Sequence, residues 1–173
     1  VKASTLAGAD DHPGRLAGHG PIPATVARAL AAALTSTLHR VVVDDDGRVL
    51  GVDRADWADQ TAPPDHTACR QFSDDRFFSG LLRRHVYLRD GSCRMPVCDS
   101  PIRDIDHIHP HTAGGPTTAD NGQGLSVRCH HLRDLPGWTV VGDGNRTIIW
   151  TTPTGHSYQS RPPPALGWGS EPP

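Results

Sequence analysis

Between residues 24 and 38, Val26, Leu30, Ala33, Leu34 and Leu38 recur on approximately one face behind Pro23, which suits a first helical turn, so the pattern predicts a helix over 24–38. Residues 39–43 are rich in branched side chains, Asp45-Asp46-Gly47 supplies a turn, and apolar alternation resumes over 48–52, which predicts a hairpin over 39–52. Residues 53–75 turn polar and carry Pro63 and Pro64, with Trp57 as a lone aromatic; this predicts a flexible connection. Helical spacing returns over 77–88, with Phe77, Leu81, Leu82, Val86 and Leu88 apolar and Arg83, Arg84 and Arg89 on the remaining surface. After Trp138, two strands are expected around Gly142-Asp143-Gly144-Asn145, and a further short strand after Pro153-Thr154-Gly155. Residues 1–23, with Asp10, Asp11, Pro13, Gly18, Gly20 and Pro21, read as a linker, and the Pro- and Gly-rich residues 162–173 as a disordered tail.

Composition limits the core. The chain is 36% hydrophobic and 5% aromatic, with 18 Gly and 16 Pro, so much of it must be turn, loop or tail around one modest core. A net charge of -2 excludes the strongly basic balance of many nucleic-acid binders, so charge has to be sought locally. Between Arg76 and Arg103 there are six arginines (Arg76, Arg83, Arg84, Arg89, Arg94, Arg103) against two acids (Asp90, Asp99). Phosphate binding is one reading of that excess, and a solvated helix face is the other.

No run approaches the roughly 20 apolar residues of a membrane span and no signal peptide is visible, which predicts a cytoplasmic protein with no membrane partner. Val1 in first position, with Met95 the single methionine, leads us to expect a preceding domain outside this chain or a start at a non-ATG codon.

Chemistry concentrates between 93 and 131. Cys93 and Cys98 are spaced as one jaw of a zinc clamp, and Cys129, beside His130 and His131, lies where a second jaw is expected. In a cytoplasmic chain such thiols point to metal rather than a disulfide. Asp106-His107 joins a carboxylate suited to a hard divalent cation to an imidazole that titrates near neutrality. Neighbours on a strand point to opposite faces, so this pair needs a bulge or a strand end to converge on one substrate. Asn121, following Gly114-Gly115-Pro116-Thr117, can donate and accept at once and so tie a Gly-rich loop together without adding charge. Cys69, His109 and His111 receive no role.

In that order, Asp-His, Gly-Gly-Pro-Thr, Asn, and Cys followed by His resemble the HNH endonucleases of the ββα-metal (His-Me finger) fold, in particular the actinobacterial proteins in which this module follows a domain of unknown function. The resemblance covers residues 81–161, including Arg89-Asp90 and Pro136-Gly137-Trp138, and more weakly 13–28 and 47–52. It implies an α+β chain: a small zinc-supported ββα-metal module at 76–161, with an N-terminal helix and hairpin extension within 1–75 and a C-terminal β-hairpin. It further implies hydrolysis of DNA with Mg²⁺ or Mn²⁺, with His107 as general base, Asp106 and His130 as ligands of the catalytic metal, and Asn121 bracing the loop that aims His107. Cys93, Cys98 and Cys129 would bind structural Zn²⁺, and Arg83, Arg84, Arg89 and Arg94 are the candidates for DNA phosphates. Where such proteins carry Cys-x-x-Cys, this chain has Ser126-Val127-Arg128-Cys129, one thiolate short. That departure keeps two alternatives open: a zinc-stabilised nucleic-acid-binding module with impaired catalysis, and an inactive mobile-element remnant.

Overall fold

A computed structural model describes residues 1–54 and 75–166. The connection expected over 53–75, with Trp57 and Cys69, therefore lies almost wholly outside the described residues. The chain is mixed α/β with small sheets and divides into two units, one built on Val1–Arg40 and the other on Val41–Asp53 together with the described residues up to Ala165.

The first unit corrects the linker expected over 1–23. A short helix α1 (Ala3–Leu6) precedes an antiparallel pair, β1 (Gly14–Leu16) and β2 (Gly20–Ile22), registered Gly14↔Ile22 and Leu16↔Gly20. The turn is feasible because Gly18 and Gly20 take φ of 77° and 90°, which L side chains resist. Arg28 on α2 (Ala24–Ala31) ties the unit together, donating from Nη1 to the carbonyls of Thr5 (2.9 Å) and Asp10 (3.2 Å) and from Nη2 to Asp11 Oδ1 (2.6 Å).

α2 itself stops seven residues short of the expected end at Leu38. Ser36 Oγ donates to the Leu30 carbonyl at 2.6 Å while its own amide reaches Ala33, a local hydroxyl bond that competes with the helical ladder. The core-facing side also differs from expectation: Ala24 and Ala27 are buried, and Val26, Leu30 and Leu34 are exposed.

β3 (His39–Val43) pairs with β4 (Val49–Arg54), a hairpin whose residues 41–53 belong to the second unit, around a turn where Gly47 has φ of 76° and Arg48 N–H donates to Asp44 Oδ1 at 2.8 Å. This hairpin was expected with the N-terminal segment, but residues 41–53 group with the second unit. Val49 and Val52 bury against Val41 and Ala165, and Ala165 N–H donates to Gly47 O at 2.7 Å. Residues 162–165 are thus packed rather than tail-like; 167–173 lie outside the described residues.

α3 (Gly80–Asp90) buries Leu82, His85, Val86, Arg89 and Asp90, a stripe at helical spacing, whereas Phe77 and Leu88 of the expected apolar face stay exposed. Leu82 and Val86 join Phe78, Ala119 and Ile105 in a cluster beneath β5 (Asp104–His107). β5 pairs antiparallel with β6 (Gly122–Leu125), with Asp104 opposite Leu125 and His107 opposite Gly122; α4 (Val127–Arg133) follows directly. β7 (Thr139–Gly142), β8 (Ile148–Thr151) and β9 (Ser157–Ser160) form an antiparallel meander, one strand more than a hairpin. Val140, Ile148 and Trp150 from that meander pack with Ile108, Leu125, Cys93 and Cys129 to make the main core.

A buried ionic knot joins these pieces. Asp90 accepts from Arg89 Nε and Arg94 Nη1, each at 2.7 Å, and from the Gly124 amide at 2.7 Å. Arg89 also donates to the carbonyls of Ala119 (2.6 Å) and Gly122 (2.7 Å), on either side of Asn121, and Arg94 reaches Gly144 O (3.0 Å) and Ser160 O (3.1 Å). All three side chains are at most 2% exposed. Arg89 and Arg94 were expected to meet DNA phosphates; their guanidinium donors are instead spent on the fold, so neither is available to a phosphate.

His85 sits beside this knot, 3% exposed, and burial, reinforced by the Arg89 charge, holds its pKa down at about 4. Above pH 6.5 the ring is neutral folded or unfolded; between 6.5 and 4 the unfolded chain binds a proton that the folded chain refuses. Stability is therefore expected to fall as pH drops through that window, by about 3 kcal/mol when complete. Urea unfolding at pH 7 and pH 4.5 checks this. A His85→Leu chain should show a shallower pH dependence, and an identical slope would remove His85 as the cause.

Candidate metal centre and histidine site

Strand alternation divides β5 into two faces. Ile105 and His107 turn toward the α3 cluster, where the His107 ring meets Phe78 at 4.7 Å and His111 at 5.4 Å between centroids. His107 ends the strand and is 8% exposed; its Nε2 lies 2.9 Å from Thr117 Oγ1, and its Nδ1 makes no hydrogen bond among the described residues. Burial lowers its pKa most strongly, against the opposing pull of Asp106, so the ring is neutral near pH 7.

The loop beyond His107 is clamped by Asn121. Its Oδ1 accepts from the His109 amide (2.8 Å) and its Nδ2 donates to the carbonyls of His109 (3.0 Å) and Pro116 (2.7 Å), while Asn121 O accepts from Ile108 N–H (2.8 Å). Gly115 is required where the loop closes, because a Cβ there would stand 1.9 Å from His109 O.

Asp104 and Asp106 face the opposite way, toward α4. His130 Nδ1 lies 3.2 Å from Asp104 Oδ2 and its Nε2 3.9 Å from Asp106 Oδ1; with the ring proton on Nδ1, Nε2 would offer a lone pair. Arg133, one turn after His130, forms an ion pair with Asp106 Oδ2 and donates to Ile108 O at 2.7 Å, and Gln123 Nε2 reaches the same carboxylate oxygen at 3.4 Å. Asp106 thus presents Oδ1 alone. A carboxylate oxygen and an imidazole nitrogen at this separation could serve as two of the ligands of a divalent cation, whose bonds to such atoms run about 2.0–2.2 Å. The donor set fits a hard cation held by one carboxylate and one imidazole, with Asp104 orienting that imidazole from behind.

The three cysteines come together as expected. Their Sγ atoms lie within 4.8 Å of one another, against an edge of roughly 3.8 Å for thiolates around tetrahedral zinc, so the cluster could hold a metal such as zinc. Cys93 and Cys129 are buried, and Cys98 is half-buried. The loop returns Cys98 to Cys93 through a turn in which Val97, fully exposed, takes φ of 64°, a conformation β-branched residues rarely adopt. Burial drives the Cys129 thiol up to about 12. At Cys98 burial also pushes upward but is outweighed by hydrogen bonds from Ser100, Cys129 and Cys93, leaving it at about 7. Ser126 lies at the same cluster, and His131 is exposed on α4, stacked on His130.

Four polar neighbours of the site were given no role from the sequence. Asp104 was legible as the i−2 partner of Asp106 on a strand, and Arg133 as the i+3 partner of His130 on a helix. Thr117 and Gln123 reach the site only through tertiary contact. Of the arginines proposed for phosphates, Arg83 and Arg84 are exposed on α3, as that reading needs.

The chain is therefore a mixed α/β protein in which Asp104, Asp106, His107, His130 and Arg133 gather on β5 and α4 beside a three-cysteine cluster. It is 41% identical over 87 residues to Rv3776, an uncharacterized protein of Mycobacterium tuberculosis, an alignment that covers 49% of this chain and 17% of that one. It is 41% identical over 88 residues to Rv2100, an uncharacterized protein of the same organism, with 49% and 16% covered. The chain thus spans about a sixth of the length of these relatives. No family model and no solved structure matches. Among the described residues, no helix is long and apolar enough to cross a membrane.

Proposed function

We propose that this chain is an HNH-type endonuclease that hydrolyses DNA phosphodiester bonds with Mg²⁺ or Mn²⁺. The observation that carries the reading is the output of one four-residue strand: β5 sends Asp106 to meet His130 and, one residue later, ends on a buried neutral imidazole whose Nδ1 has no partner among the described residues.

His107 Nδ1 takes the proton of an attacking water, with Nε2–H donating to Thr117 Oγ1, so the tautomer is set before substrate arrives. Asp106 Oδ1 and His130 Nε2 would hold the divalent ion. When bound, that ion supplies positive charge for the phosphate and leaving oxygen. Asn121 keeps the loop at 109–116 in register with the strand end, and Asp104 keeps the His130 ring turned. Arg83 and Arg84 supply phosphate contacts that carry little sequence information. Zinc in the cysteine cluster would anchor the 93–98 loop to α4.

Thr117 gives this mechanism its own test. Thr117→Val removes the acceptor for Nε2–H and is expected to slow cleavage about tenfold or more and to shift His107 toward the other tautomer in ¹⁵N spectra. Thr117→Ser should restore both. Cleavage and spectra untouched by Thr117→Val would remove Thr117 from the mechanism.

The ion pair between Arg133 and Asp106 favours a second reading, a zinc-stabilised module that binds nucleic acid without cutting it. The two separate in one experiment. Supercoiled plasmid incubated with the protein and Mg²⁺ or Mn²⁺ should become open circle, and chelation should stop it; salt-sensitive binding without conversion supports the second reading instead.

A further inference from the structure

Among the described residues the cysteine cluster offers three ligands only. Cys93, Cys98 and Cys129 converge, and no histidine or carboxylate joins them among the described residues. Ser126 lies beside the cluster, its Oγ 3.9 Å from Cys98 Sγ. That hydroxyl is already committed, accepting from the Cys129 amide at 3.3 Å as the N-cap of α4, and a neutral hydroxyl is not among the usual donors to zinc. Cys98, next to Ser126, is the one thiol of the three that remains partly exposed.

We infer that this centre holds zinc through three thiolates and keeps a fourth, exchangeable coordination position beside Ser126, occupied by water and open to a small monodentate thiol. The incoming thiol gives its proton to solvent as its sulfur replaces the water, so no oxidant or reductant is involved. A site of three protein ligands plus an exchangeable fourth is the open kind, unlike a scaffold zinc with all four positions filled by the chain. The inference rests on the cluster taking up metal and not on the nuclease reading.

Cobalt(II) in place of zinc reports both occupancy and ligand number, because each thiolate adds charge-transfer intensity in the near ultraviolet. The full chain loaded with Co²⁺ and titrated with 2-mercaptoethanol is expected to gain about one third in that intensity, from three thiolates to four. A Ser126→Cys chain should start at the four-thiolate intensity and not respond. The native titration decides the matter even if the variant does not fold. Failure to take up cobalt, loss of the cobalt bands on adding thiol, or a native spectrum that thiol leaves unchanged would each overturn the inference, the first by removing the metal and the others by removing the open position.

Discussion

Replacing Asp90 with alanine is expected to destabilise the second unit by about 3–5 kcal/mol, because it leaves two buried guanidinium groups without their counter-ion. Arg89 and Arg94 share the Asp90 carboxylate at 2.7 Å each, in a place where side chains are at most 2% exposed. The same carboxylate receives the Gly124 amide of β6, so the substitution also strands a backbone donor. A domain typically has about 5–15 kcal/mol in total, so the loss removes a large part of the stability. Asp90→Asn keeps the shape and one acceptor but not the charge, and should fall between. As a control, Arg84→Ala on the exposed face of α3 should move the urea midpoint little, within about 0.5 kcal/mol. An Asp90→Ala chain within about 1 kcal/mol of the native protein would show that the knot is not what joins α3 to β6 and the meander.

The second large effect concerns cleavage. His107→Ala is expected to slow plasmid nicking by about 10²–10⁴-fold, the usual contribution of a positioned general base. The side chain packs on Phe78 and is 8% exposed, so the fold must be checked by circular dichroism and urea unfolding before the rate is read. His107→Gln, which preserves more of the volume, should fold better and remain as slow. Undiminished nicking by a folded His107→Ala chain would take His107 out of the chemistry.

How far the sequence foretold these features varied with how local each one is. The hairpin at β3 and β4, helix α3 and the strands after Trp138 follow from alternation, helical spacing and turn residues that act within a few positions. The meeting of Cys93, Cys98 and Cys129 followed from spacing and thiol chemistry. Arg89 and Arg94 went the other way. Arginine usually sits at the surface, and the one sign of burial, an acid between them at Asp90, gains its meaning only when β6 brings the Gly124 amide to the same carboxylate. The 14–22 hairpin was hidden because its strands are three residues each, too short for alternation to register, and the long-range donors of Arg28 hold the segment before it at Thr5, Asp10 and Asp11. α2 ends early where the Leu30 carbonyl is taken by the Ala33 amide and the Ser36 hydroxyl in place of a further helical bond. Thr117 lies ten residues from His107, and no periodicity links them; the loop clamped by Asn121 does.

The central claim is metal-dependent phosphodiester cleavage at Asp106, His107 and His130. Single-turnover nicking of supercoiled plasmid across a Mg²⁺ titration, by the native protein beside a folded His130→Ala chain, tests it most directly. The account expects nicking that saturates with Mg²⁺ in the native protein and that is lost, or displaced to much higher Mg²⁺, in the variant. No nicking by the native protein at any Mg²⁺ or Mn²⁺ concentration, or equal nicking by the two chains, would contradict it.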